Sequence, residues 1–246
     1  LGVSSDVQKD NDSALLNFHR TDADADYYYL YNSDLNEEIS QTISLQGEGT
    51  PYLLDPWSGE ITQIAEYTQE DGKTTISVDL KANENMLIAL AKDTWTGASA
   101  NGNHITKTNA DSVGYQDGTL VARTSKQGNY TFDFSNGTSS TVEINAAQQP
   151  ITLNHWTMNL QSWSAGDTAL ETKKENLGPY ELDELVPWNE MEGLEDVAGV
   201  ATYNTSFELE NGWEQGQGAM ISFTRVSDTM KLKVNGTEVP VNQLSN

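Results

Sequence analysis

Apolar and polar residues alternate along the first part of this chain with a period of two, the signature of half-buried strands rather than helices. Residues 38–45 set Ile39, Gln41, Ile43 and Leu45 on one face, and residues 74–80 do the same with Ile76, Val78 and Leu80. Asp71-Gly72 is a hairpin turn signal joining that second strand to one predicted over 61–67. Residues 27–31 break the alternation with an unbroken Tyr-Tyr-Tyr-Leu-Tyr run that ends at the turn cluster Asn32-Ser33-Asp34. Such a run predicts a strand buried on both faces. Pro51 and Pro56 bias their predecessors toward extended backbone, so 51–56 reads as a short strand. After Asn83 and Asn85, residues 86–91 form another apolar run, predicted to be a buried strand. Short strands at regular spacing predict a β-sandwich.

The pattern lapses over 94–119, where Gly, Asn, Ser and Thr dominate and a long surface excursion is expected. Strands are predicted again over 120–123, 129–134 and 141–144. Gln148-Gln149-Pro150 marks a boundary. Beyond it come 151–163 as a strand or strand pair, then 200–209, 219–223 and 230–234, with Asn235-Gly236 opening a hairpin into 238–241. Residues 183–196 are acidic and interrupted by Pro187, which allows a short helix at most. The fold class expected is all-β, as two β-sandwich, jelly-roll-like units over 1–147 and 148–246. A final strand running into Asn246 leads us to expect that the second unit is truncated at its C-terminus.

Composition changes this picture by exclusion. The 246 residues are enough to bury a core without staples, and the chain has no cysteine, which removes disulfides, thiol catalysis and thiolate metal sites. Thirteen basic residues stand against 37 acidic ones, a net charge of −24. Nucleic-acid binding needs basic stripes that displace counterions, so no nucleic-acid partner is expected, and an anionic membrane surface would repel the chain. No apolar run approaches the roughly 18 residues of a transmembrane helix. Leu1-Gly2-Val3 is followed at once by polar residues and does not open a signal peptide, so a processed or excised chain is expected. The charge suits a soluble protein secreted outside cells, although a halophilic or acid-tolerant source would give the same composition. Asn11, Asn129, Asn136, Asn204 and Asn235 are N-glycosylation acceptors by pattern, though about four would arise from composition alone.

Candidate chemistry is sparse. Asp22, Asp24 and Asp26 resemble the opening of a calcium loop, but Tyr27 and Ser33 stand where the glycine and the bidentate glutamate belong, so a structural calcium lacks support and no cofactor or metal is expected. His19, His104 and His155 lie far apart, and neither a Gly-x-Ser-x-Gly elbow nor a phosphate loop occurs. The acidic cluster between Glu181 and Asp196 reads as a solvated loop rather than a glycosidase carboxylate pair. Tryptophan is the better clue. Trp57, Trp95, Trp188 and Trp213 sit at turns or in loops, where an indole can stack on the C–H face of a sugar or plug the end of a sandwich.

Two stretches carry a family likeness. Phe18-His19-Arg20, then Asp26-Tyr27-Tyr28-Tyr29-Leu30-Tyr31-Asn32, then Leu54-Asp55-Pro56-Trp57-Ser58-Gly59-Glu60, resemble the region after the catalytic barrel in α-L-rhamnosidases of glycoside hydrolase family 106. Gly199-Val200-Ala201-Thr202-Tyr203-Asn204-Thr205-Ser206-Phe207 with Val234-Asn235-Gly236 resembles the galactose-binding-type jelly roll of that family and of the β-galactosidase superfamily. The resemblance implies a catalytic barrel upstream of Leu1, closing jelly-roll strands beyond Asn246, and no catalytic residue within this chain. It gives His19 and Arg20 a substrate-side role. The function it implies is an accessory region, scaffold or carbohydrate-binding, of a secreted rhamnosidase-like enzyme acting on plant or microbial polysaccharide. Its partners would be poly- or oligosaccharide and the catalytic domain. The alternatives are a self-standing carbohydrate-binding module and a small complete glycosidase with a carboxylate pair. Carbohydrate contact is expected at Trp57, Trp95 and Trp188, with neutral chains preferred over uronate-rich ones because of the net charge.

Overall fold

The computed structural model describes residues 5–56, 58–93, 95, 102–145, 149–209, 218–226 and 228–239. The chain divides into two compact units, Leu1–Ala147 with Ile221–Asn246, and Gln148–Met220.

The first unit begins with nine strands: β1 (Val7–Lys9), β2 (Leu15–Thr21), β3 (Ala25–Asn32), β4 (Ile39–Gln46), β5 (Thr50–Leu54), β6 (Ile61–Gln63), β7 (Thr68–Glu70), β8 (Lys73–Leu80) and β9 (Asn85–Ala91). They form a four-stranded sheet, β1-β4-β8-β7, and a five-stranded sheet, β2-β3-β9-β5-β6, with every pairing antiparallel. The alternating side chains of β4 and β8 supply one wall of the core: Ile39, Ile43, Leu45, Ile76, Val78 and Leu80 are all buried. Leu15, Tyr28, Leu30, Ile88 and Leu90 supply the other. This is a β-sandwich, and the period-two pattern is its cause. Asp71 and Gly72 both take positive φ (53° and 75°), the left-handed pair a two-residue hairpin between twisted strands requires.

Two polar residues sit in this core in opposite circumstances. Asn32 is fully buried, and its amide nitrogen donates to the carbonyls of Glu37 (2.8 Å) and Lys81 (2.9 Å), with that of Leu80 at 3.3 Å. Its oxygen accepts the Asp34 N–H at 3.0 Å. The end of β3 is thus tied to the chain leaving β8 in the opposite sheet. Gln41, by contrast, lies between Ile39 and Ile43 on β4, and neither atom of its amide finds a partner among the described residues.

The excursion expected over 94–119 is structured in its second half. β10 (Ile105–Thr108), β11 (Ser112–Gln116), β12 (Thr119–Arg123), β13 (Gly128–Phe134) and β14 (Ser139–Ile144) build a three-stranded sheet, β10-β13-β14, and a β11-β12 hairpin. That hairpin turns on Asp117-Gly118, again with both φ positive (50° and 73°). Ile105, Tyr130 and Phe132 form the buried centre of this part of the unit. The single strand expected over 61–67 is in fact divided. Between β6 and β7 the chain passes from one sheet to the other with Ile64 and Tyr67 packed on the sandwich core, and Ala65 and Tyr67 exchange backbone hydrogen bonds with Ile105 in a parallel bridge. β18 (Leu232–Val234) and β19 (Thr237–Val239) form a hairpin at Asn235-Gly236.

The second unit is one antiparallel sheet, β16-β15-β17, made from β15 (Trp156–Ala165), β16 (Thr172–Leu182) and β17 (Gly199–Asn204). One face packs Met158 and Leu160 against Leu194, Trp188 and Met191 from the connection between β16 and β17. The acidic segment therefore has a structural duty. It contains one 3-10 turn, Trp188–Glu190, and covers the sheet. Strand β16 escapes the sequence pattern, because its Thr-Lys-Lys-Glu-Asn opening is polar on both faces. The strand expected over 219–223 is absent, since the described residues of 218–226 contain none.

Candidate functional site

The two outer faces of the first sandwich differ in kind. On the four-stranded sheet, cross-strand pairing turns Ser40, Thr42, Ser44, Thr75 and Ser77 outward, and no strand position on that face is apolar. On the five-stranded sheet, register places Phe18, Tyr29, Leu87, Leu54 and Ile61 in one row, with Leu16 beside Tyr31 in the next. Phe18 is 65% exposed, Leu16 57% and Tyr29 42%. The Tyr-rich run of β3 is consequently not buried on both faces as expected: Tyr28 and Leu30 point into the core and Tyr29 points to solvent. No strand position on this outer face is Asp or Glu, although the chain carries 37 of them.

The adjacent residues His19 and Arg20 are separated by strand alternation. Arg20 lies exposed on the outer face, beside Tyr27. His19 points inward at one end of the sandwich, stacked on Tyr28 with ring centroids 4.3 Å apart. Its Nδ1 is 3.2 Å from Asp6 and its Nε2 3.3 Å from Asp26, which also accepts the Thr21 hydroxyl at 2.6 Å. Asp6 precedes β1 in the other sheet, so His19 links the two sheets. Tyr28 donates its hydroxyl to the Gln46 carbonyl, and burial raises that phenol above its ordinary range. Asp22 and Asp24 lie in the β2–β3 turn, away from Asp26. The Asp22 carboxylate accepts the N–H groups of Ala25 and Asp24, which lower its pKa. Among the described residues no group of three or more His, Asp or Glu is placed to hold a metal ion.

The candidate tryptophans do not converge. Trp95 donates its backbone N–H to the Tyr52 hydroxyl (2.9 Å) and stacks on that ring at 5.3 Å, half-buried over the row of Tyr27 and Tyr52. Trp188 belongs to the core of the second unit, and its indole N–H donates to Tyr203 at 2.5 Å. Trp57 and Trp213 lie outside the described residues. All five sequon asparagines are exposed.

Sequence reasoning missed two features. Where the chain crosses from sandwich to small sheet, His104 stacks on Tyr67 with centroids 3.7 Å apart, and burial depresses its pKa. Neighbouring Glu66 accepts the Thr108 N–H at 3.2 Å and is raised by burial. Tyr67 and Tyr115 are each pushed up to about 12 by the same desolvation. The second feature is the uncovered face of the β16-β15-β17 sheet, where Thr157, Asn159, Gln161 and Trp163 alternate outward from β15. Trp163 is 41% exposed, with its N–H donated to Gln161 Oε1 at 2.9 Å and the Lys174 ammonium 4.8 Å from its ring centroid. The alternation of 157–163 was the available signal.

No protein-family model matches this chain. No curated protein matches it either. Among solved structures, a rhamnosidase from Novosphingobium sp. PP1Y is similar at a TM-score of 0.34 and 17% identity, over 73% of this chain. The chain spans 19% of that rhamnosidase's length. A superposition of that quality assigns this chain neither fold nor activity.

Proposed function

We propose that this chain is an accessory, non-catalytic β-sandwich region of a secreted, α-L-rhamnosidase-like glycoside hydrolase, and that it serves as a scaffold. The observation that carries the scaffold reading is the one-sided sandwich. A solvated sheet turns Ser and Thr outward, as the four-stranded sheet does. The five-stranded sheet instead presents Leu16, Phe18, Tyr29 and Ile61 without a single carboxylate. Contiguous apolar surface of that sort marks a contact face, and aliphatic side chains suit a protein surface better than a hydroxylated sugar. The motifs around His19, Asn32 and Asp55 supply the resemblance to the rhamnosidase region beyond the barrel. Trp95 and Trp188 are engaged in packing, which favours bracing over sugar capture at those two positions.

Two measurements test the reading. The purified chain should not turn over aryl α-L-rhamnosides or other aryl glycosides; turnover abolished by one Asp or Glu substitution would instead establish a small glycosidase. In the enzyme that carries this chain, Phe18→Ser with Tyr29→Ser should leave the sandwich folded yet lower the temperature of inactivation. An unchanged inactivation temperature counts against docking through this face.

A further inference from the structure

The uncovered face of the second unit has a hydrogen-bond polarity that selects a ligand. An indole N–H can only donate, so the Gln161 oxygen must face Trp163 and the Gln161 nitrogen must face the other way. That nitrogen approaches Asn176 Oδ1 on β16 at 3.5 Å, which fixes the Asn176 amide in turn. Each amide oxygen accepts one of these bonds, and the Asn176 NH₂ is left to donate elsewhere. Lys174, two residues before Asn176 on the same strand, sets its ammonium over the indole ring, where an anionic ligand can draw it off onto itself. Lys173 is paired with Asp167 at 2.8 Å, whereas Lys174 makes no ion pair among the described residues. The surface around Trp163 thus combines an exposed aromatic ring with an ammonium and an amide donor.

We propose that this face binds a saccharide bearing a hexuronate, with the pyranose C–H face against Trp163 and the carboxylate toward Lys174 and Asn176. A ring with an apolar face fits the indole, and an anionic acceptor complements a cation and an amide donor. An acidic peptide would offer the charge without the flat C–H face. The net charge of −24 favours neutral chains at long range, but charges beyond about 8 Å are screened at physiological ionic strength. Among the strand positions of this face the acidic one is Glu181, paired opposite Thr157, and the Asp167 carboxylate in the β15–β16 loop is engaged by Lys173. Thr157 is six residues from Trp163 along β15, about 20 Å away at the usual strand rise. Local geometry therefore decides the preference. The site is built from residues of the second unit alone, and its outcome leaves the scaffold reading untouched.

The test is calorimetric titration of the whole chain with α-1,4-linked trigalacturonate and with uncharged maltotriose, in chelator so that no divalent cation bridges. Trigalacturonate should bind with Kd on the order of millimolar or tighter, and at least about fivefold more tightly than maltotriose. Trp163→Ala should weaken it at least about tenfold. Lys174→Gln, at an exposed position that leaves the fold intact, should weaken it about fivefold and flatten its salt dependence. Absence of trigalacturonate binding, equal affinity for maltotriose, or binding unchanged in Lys174→Gln each overturns the proposal.

Discussion

Replacing Asn32 by aspartate exchanges an NH₂ for an oxygen at almost no change in volume, which makes it a clean probe of what joins the two sheets. The Asn32 NH₂ serves carbonyls of Glu37, Lys81 and Leu80 at 2.8, 2.9 and 3.3 Å in a site without solvent access. Aspartate keeps the acceptor for the Asp34 N–H but turns both donors into a carboxylate oxygen facing those carbonyls. Two lost hydrogen bonds at about 1 kcal/mol each, with buried acceptors left unpaired at about 1–3 kcal/mol, give a loss of roughly 3–5 kcal/mol. For a chain of this size each kcal/mol moves Tm by about 2–4 °C, so a thermal melt at neutral pH should fall by roughly 6–20 °C. Burial opposite carbonyls disfavours the carboxylate, so its folded-state pKa lies above the unfolded value near 3.9. The folded state then holds the proton more tightly, and the loss grows as pH rises through that window. At about pH 4 the variant should recover part of its deficit, because the protonated carboxyl introduced there donates one bond. A melt within about 2 °C of the parent at neutral pH would refute the hub role assigned to Asn32.

Gln41→Leu removes a buried amide without a protein partner among the described residues and should stabilise the chain by about 1–2 kcal/mol in urea denaturation; a loss would show that the amide is satisfied. His104 is held neutral by burial, so the folded chain resists the proton that the unfolded chain accepts below about pH 6.5, and stability should fall as pH drops through that range. His104→Phe keeps the stack on Tyr67 and should remove that slope, as read from denaturation midpoints against pH. Glu66 has the opposite sign, because its raised pKa favours the protonated folded form and its contribution is lost as pH rises above the usual carboxylate range; Glu66→Gln should remove that fall. At Gly199 a Cβ would collide with the Gln161 carbonyl oxygen, so Gly199→Ala should destabilise the β16-β15-β17 sheet by about 1–3 kcal/mol, measured by amide exchange in β15.

What was legible in the sequence was whatever one buried face writes into the chain. Ile39, Gln41, Ile43 and Leu45, or Ile76, Val78 and Leu80, read directly as one wall of a sandwich, and Asp71-Gly72 read as its turn. The Tyr27–Tyr31 run hid its own alternation, since an aromatic residue fits both a core and a contact face and the pattern cannot distinguish them. Strand β16 was invisible for the converse reason, being an edge with polar residues on both sides whose only signal is its partner β15. Missing β16 also hid the surface around Trp163, because Lys174 reaches the indole, and Asn176 reaches Gln161, only through the register of that strand. The separation of His19 from Arg20 was implicit in strand alternation and needed only the strand assignment to be drawn.

The lengths of the sheet margins bear on how this chain behaves at high concentration. Strands β1, β7 and β6, three of the four outermost strands of the sandwich, are three residues each, too short to template an added strand. The fourth, β2, runs seven residues, with Leu16 and Phe18 turned to solvent and Arg20 the only charge on that face that can discourage a like neighbour. Its outward N–H and C=O groups form the one long open row among the described strands of the sandwich. Any self-association at high concentration should therefore begin along β2 rather than at the Ser- and Thr-rich margin, and Leu16→Lys is the smallest change that should suppress it.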